Sequence, residues 1–289
     1  WFFILHCALV PMILYSLDVY LEHATKKESS TGLIRGSYLT VTNIILVLSP
    51  LITGFILKHF SFENVYFLSV LMILPLFVVI EMYLRNDEPK TASHITLSHG
   101  LRTLKHNKDL RYSIIAQFIL QLFYAWVVIY LPLYLISEIG FAWDTLGKLF
   151  TIMLLPFLLF ELPIGWIADH KYGEKEFMIF GFIATALAMS LLTIPFPTHF
   201  LTWAMLLFFS RFGASFVEVT NESYFFKHVS SNDGDVISIF RMMRPIAYIV
   251  TPLIATASLA IFPFSTTFWI LACITLLGSI AAFNITDTK

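Results

Sequence analysis

The sequence predicts an all-α polytopic membrane protein, a bundle of nine transmembrane helices, and three observations predict it. Of 289 residues, 58% are hydrophobic, 16% aromatic and only 13% charged, with a mean hydropathy of +0.79, well outside the composition of soluble domains. The apolar residues gather into nine runs, at about residues 1–20, 36–57, 64–84, 112–136, 145–168, 177–196, 200–224, 236–260 and 267–284. Each run approaches the roughly 20 residues that a helix needs to cross hydrocarbon. Charged segments separate the runs. Strands are excluded, because an open strand leaves backbone groups unpaired in lipid and barrel strands are shorter and alternate.

Basic residues mark one side of these spans. Alternate loops hold Lys26, Lys27 and Arg35, then Arg85, Lys90, Arg102, Lys105, Lys108 and Arg111, then Lys171 and Lys175, then Lys227. The opposite loops hold Lys58 alone. Basic loops favour the cytoplasm, so Trp1 is expected outside and Lys289 inside. A net charge of −1 gives no sign of nucleic acid, and none is expected as a partner. Cys7 and Cys273 both lie in apolar runs, as small packing residues, and no disulfide framework follows. The first run lacks the basic flank of a signal peptide and opens on Trp1.

The longest loop, Arg85 to Arg111, separates three spans from six. Leu97, Leu101 and Leu104 recur within it at helical spacing, with Arg102, Lys105 and Lys108 among them. The pattern suits a short helix lying on the membrane surface, or a solvated linker.

Spans one to three reappear as spans seven to nine. Asp18 and Glu22 correspond to Glu218 and Glu222 at an offset of 200; at an offset of 202, Ser49-Pro50-Leu51-Ile52 corresponds to Thr251-Pro252-Leu253-Ile254. Such self-similarity marks the halves of transporters. The expected organisation is therefore the last three helices of an N-terminal half (1–84), a cytoplasmic linker (85–111) and a complete six-helix C-terminal half (112–289). Three further helices are expected upstream, which makes this chain nine helices of twelve.

Three motifs resemble those of the major facilitator superfamily of secondary transporters. Gly165, Asp169, Gly173 and Lys175 are similar to its loop motif Gly-x-x-x-Asp-Arg/Lys-x-Gly-Arg/Lys-Arg/Lys, with one extra residue before Gly173, His170 in place of a cation and Glu174 in place of the first base. Arg211-Phe-Gly213-Ala resembles its arginine motif, and Pro50 with Gly54 resembles its proline-glycine motif. The resemblance covers the chain in the order of family helices four to twelve. It implies alternating access, a rocking of two helix halves about a central cavity, and solutes such as drugs, sugars or metabolites.

The residues themselves indicate where the chemistry lies. Ionisable groups inside spans are costly and mark ion or substrate paths, so Arg211, Glu218 and Glu161 are the candidates for coupling to protons. Glu218 and Glu222 share a helical face, as do Asp18 and Glu22, and carboxylates so placed raise each other's proton affinity. At the cytoplasmic side, Asp169 can meet the start of the span bearing Arg241 and Arg244, and Gly165 permits close approach. The gate set is thus Gly165, Asp169, Gly173, Lys175, Arg241, Arg244, Asp18, Glu22 and Glu222. Gln121, Tyr124, Tyr130, Asn43 and Tyr248 are the polar candidates for the substrate cavity. Pro50, Gly54 and Pro252 are hinge candidates, since an internal proline removes a backbone donor.

No phosphate-cradling loop, nucleophile elbow or metal-ligand spacing occurs, so neither cofactor nor metal is expected. The expected function is secondary active transport of a small organic solute, with the proton as candidate coupling ion. The protein is expected to be a monomer in the cell membrane, with the lipid bilayer and a small-molecule substrate as its partners. A membrane-embedded enzyme and a non-transporting receptor or scaffold are the alternatives.

Overall fold

The computed structural model describes residues 31–79, 82, 97–168, 173–194, 197–229 and 233–287. The first expected span lies outside them. The described helices are α1 (Thr31–His59), α2 (Phe62–Val79), α3 (Leu97–His106), α4 (Lys108–Ser137), α5 (Trp143–Ile167), α6 (Lys175–Leu191), α7 (Phe200–Lys227), α8 (Gly234–Leu259) and α9 (Thr266–Phe283). Each of the other eight apolar runs falls on one of them, and α3 lies in the linker. Six of the helices, α1, α4, α5, α7, α8 and α9, are long and apolar enough to cross a membrane. The apolar part of α2, Phe62–Leu76, is shorter. α6 has 17 residues, about 26 Å at 1.5 Å per residue.

Residues Trp1–Leu46 form one compact unit and Val47–Lys289 a second. Of the first, the described part is the beginning of α1. The division into halves about the 85–111 linker rests on the internal repeat and is carried forward as a proposal.

In the second unit the interior and the periphery are equally apolar. Trp126, Trp203, Phe182 and Phe268 are fully buried, while Leu162, Leu187, Phe209, Leu253 and Ile280 are exposed. Hydrocarbon outside gives no hydrophobic reason for helices to associate, so close packing at small residues takes over. α7 packs on α5 and α6, α6 packs on α9, and α4 packs on α8 and α9. At the α6–α7 crossing a Cβ on Gly181 would stand 2.6 Å from the Gly213 carbonyl oxygen. A Cβ on Gly147 of α5 would stand 2.6 Å from the Pro50 carbonyl oxygen of α1. Pro50, like Pro252 in α8, lies inside an uninterrupted helix.

The linker helix α3 runs almost directly into α4. Asn107 divides them, its side chain accepting hydrogen bonds from the Asp109 and Leu110 amides at 3.1 Å each. This is an N-cap, reinforced by Asp109 in the first turn. Leu101 and Leu104 of the linker stripe have different surroundings. Leu104 is buried with Leu110, Ile114, Phe225, Val236, Ile239 and Phe240, whereas Leu101 is exposed. Gly100 lies against α8, where a Cβ would be 3.1 Å from the Asp235 carbonyl oxygen, and His99 Nδ1 is 3.1 Å from Asp235 Oδ2. The cationic helix therefore docks on the bundle through its small and apolar side.

The turn before α6 is anchored from within. Gly173 adopts φ of 81°, which favours glycine, and a side chain there would also collide with the Asp287 carboxylate. Glu174 is wholly buried, ion-paired with Lys227 and 3.4 Å from the Ser223 hydroxyl. Lys175 donates to the Ile285 carbonyl at 2.9 Å and lies over the Phe283 ring. Tyr224 donates to the Thr286 carbonyl at 2.9 Å, and the Thr286 amide donates to Asp109 Oδ1 at 2.8 Å. Residues 284–287 thus tie together the ends of α4, α6 and α7. Glu174, a departure from the family pattern, is the buried anchor of the turn.

Two stability measurements follow. Gly181→Ala pushes a methyl onto backbone and is expected to cost about 1–3 kcal/mol. Gly165→Ala meets only the Val219 Cγ2 methyl at 3.3 Å and is expected to be nearly neutral in the same thermal unfolding assay of purified protein. Lys227→Met leaves the Glu174 carboxylate buried without its cation, at a cost on the order of 3 kcal/mol. Adding Glu174→Gln to that variant should restore most of the loss, and a double variant as unstable as the single one contradicts the charge account.

Candidate functional site

Two helix faces build the site. On α4, Ser113, Gln117, Gln121 and Tyr124 follow at intervals of four, four and three residues; on α7, Glu218 stands seven residues after Arg211, and Asn221 and Glu222 stand three and four after Glu218. Such intervals put each set on one side of its helix. The two sides meet. Ser113 donates to Asn221 Oδ1 at 2.9 Å, Asn221 Nδ2 donates to Gln117 Oε1 at 3.1 Å, and Tyr124 donates to Glu218 Oε2 at 2.5 Å.

Arg211 sits two turns along α7 from Glu218 and is 3% exposed. Its guanidinium carbon lies 4.9 Å from the Tyr124 ring centroid, 5.0 Å from that of Phe123 and 5.9 Å from that of Phe157. These distances are those of cation–π attraction. Among the described residues no carboxylate approaches Arg211 within 4.0 Å, and its Nε is buried without a hydrogen-bond partner. Glu218 is within electrostatic range of Arg211, and so is Tyr248 of α8. Glu222 and Arg244 are in turn within range of Glu218, and Glu161 of α5 is within range of Tyr124. Glu222 pairs with Arg241 at 2.8 Å.

The proton-coupling candidates Arg211, Glu218 and Glu161 therefore gather around Tyr124. Of the cavity candidates, Tyr124 and Tyr248 join them, and Gln121 is buried on the same face of α4. Tyr130 is placed elsewhere, in the apolar core beside Trp126 and Phe264, because six further residues along α4 carry it about 9 Å away. Asn43 lies on α1 in the first compact unit. Gly54 lies against Gly147 and Gly165 against Val219.

The gate candidates divide. Asp169, Asp18 and Glu22 lie outside the described residues. Gly173 and Lys175 belong to the clamp on residues 284–287, and Arg241 is engaged by Glu222. Sequence reasoning missed Ser113, Gln117 and Asn221, although the spacing of polar residues along an otherwise apolar α4 could have revealed two of them. It also missed Phe123 and Phe157, which look like any other core ring until Arg211 is seen between them.

The family model described as Major Facilitator Superfamily matches residues 4–153 and, in a second match, residues 113–289. Among solved structures, the chain is similar to crystal structures of the peptide transporter POT in complex with sulfate and of a mutant of that transporter with sulfate. Both show 19% identity and a TM-score of 0.50, covering 61% of this chain and 37% of theirs. Another structure of that mutant matches at 18% identity and a TM-score of 0.50, covering 60% of this chain and 37% of its own. At such identity the likeness shows the fold, and the chain spans about 37% of the length of those structures. No curated protein matches the sequence. With the family matched from residue 4 to residue 289, and with six helices able to cross a membrane, the chain is an integral membrane protein that belongs to the major facilitator superfamily.

Proposed function

We propose that the chain is part of a secondary active transporter that moves a small organic solute by alternating access, with protons as the coupling ion. One observation carries this reading: two groups of ionisable and polar side chains on facing sides of α4 and α7, Arg211 with Tyr124 and Glu218, and Asn221 with Gln117, inside helices whose outer faces are apolar. Such groups are costly in a membrane interior and serve ion or substrate passage. Glu218 accepts from Tyr124 and stands within electrostatic range of Arg211, so loading a proton on its carboxylate changes both interactions. Glu161, near the same tyrosine, is the second proton carrier. The family supports transport over catalysis. An enzyme of the bilayer would turn over its substrate in the absence of a gradient, and a receptor would bind without counterflow.

The organisation proposed is two helix halves about the 85–111 linker, with the six helices of residues 112–289 in the second half. The turn from Gly165 to Lys175 is placed at the cytoplasmic side, with Asp169, Asp18, Glu22, Glu222, Arg241 and Arg244 contributing to the closed gate. Pro50, Gly54 and Pro252 are the proposed points of bending.

Reconstituted protein should give solute-evoked currents on a supported membrane when screened with sugars, amino acids, organic acids and organic cations. Glu161→Gln and Glu218→Gln should abolish proton-driven accumulation while leaving solute exchange in place; coupling that persists in both variants rules out these carriers. Asp169→Asn should raise the reactivity of engineered cysteines on the cytoplasmic side of the cavity, and unchanged labelling and transport exclude its role in the gate.

A further inference from the structure

We infer that Arg211 anchors an anion subsite that takes the carboxylate of an organic monocarboxylic acid, which on the transport reading above is the solute moved. The other ionic contacts of this unit show what a merely structural charge looks like here. Lys227 meets Glu174, Arg241 meets Glu222 at 2.8 Å, and Lys58 meets Asp144 at 3.2 Å. Arg211 is more deeply buried than any of those cations, at 3% exposure, and it alone among these four has no carboxylate within 4.0 Å. A buried guanidinium without acceptors is costly.

The rings around it do not remove that need. Phe123, Tyr124 and Phe157 stabilise the charge by cation–π attraction, which consumes none of the guanidinium N–H donors, and Nε has no acceptor. The nearby carboxylate, Glu218, is held by the Tyr124 hydroxyl. What fits is a planar acceptor, and a carboxylate accepts two parallel N–H bonds from a guanidinium. Glu218 is within electrostatic range of Arg211, and Glu222 of Glu218. They would repel a second negative charge, so a monoanion is favoured over a phosphate dianion. The side chains beside the guanidinium, Phe123 and Phe157, are apolar, which favours an apolar body behind the carboxylate.

The test uses the full chain in lipid nanodiscs, titrated with benzoate, phenylacetate, butyrate and hexanoate, each beside its neutral amide. At least one acid should bind saturably and at least about 10-fold more tightly than its amide, as expected of a charge-assisted contact. Arg211→Met should make acid and amide equal; should it fail to yield monodisperse protein, Arg211→Lys keeps the charge but loses the fork and should cut the preference several-fold. Equal binding of acid and amide by the native chain, no saturable binding of any acid, or a preference that substitution of Arg211 leaves unchanged overturns the inference. Counterflow in proteoliposomes separates it from the transport reading. Acid preference lost in Arg211→Met, without counterflow, keeps the subsite and removes transport. Counterflow of a neutral solute that Arg211→Met leaves unchanged keeps transport and removes the subsite.

Discussion

A charge in a helix bundle surrounded by hydrocarbon must be answered by another charge, by hydrogen bonds or by polarisable rings, and the second compact unit is arranged around how each charge is answered. Toward the ends of the helices the answer is direct: Glu174 with Lys227, Glu222 with Arg241, and Lys58 with Asp144. At Arg211 the answer is three aromatic rings and a carboxylate two turns away that is bonded to Tyr124. The peripheral pairs stabilise the structure as it stands. The interior arrangement leaves the buried Nε–H of Arg211 without an acceptor.

Holding that interior open to chemistry depends on rigid surroundings. Lipid on one side and leucine on the other offer little hydrophobic preference, so backbone contact at Gly181 with Gly213 and at Gly147 with Pro50 sets how close the helices come. The same logic explains the tie formed by residues 284–287. Carbonyls of Ile285 and Thr286 and the Thr286 amide find Lys175, Tyr224 and Asp109, so the segment joins the ends of three helices through hydrogen bonds.

Much of this was legible beforehand, and the failures have a common cause. Composition and the spacing of apolar runs located eight of the described helices, because about 20 apolar residues have few other uses. Charges inside spans identified Arg211, Glu218 and Glu161 without knowledge of their neighbours. Tyr124 and Tyr130 looked equivalent, yet Tyr124 reaches Glu218 and Tyr130 packs beside Phe264. Leu101 and Leu104 looked like parts of one stripe, until Gly100 brought α3 onto α8 with Leu104 buried and Leu101 exposed. In a membrane helix every face is apolar, so hydrophobicity cannot tell lipid from protein.

By itself, then, the sequence determined that this is a helical membrane protein with ionisable groups in its spans, since hydropathy and charge act along the chain. Only the tertiary structure decided that Glu174 anchors a turn, that Arg211 is boxed by Phe123, Tyr124 and Phe157, and that Glu218 is held by Tyr124 rather than by Arg211. Those are pairings between residues 49 to 94 positions apart, and they arise from helix rotation and close approach, which hydropathy does not encode.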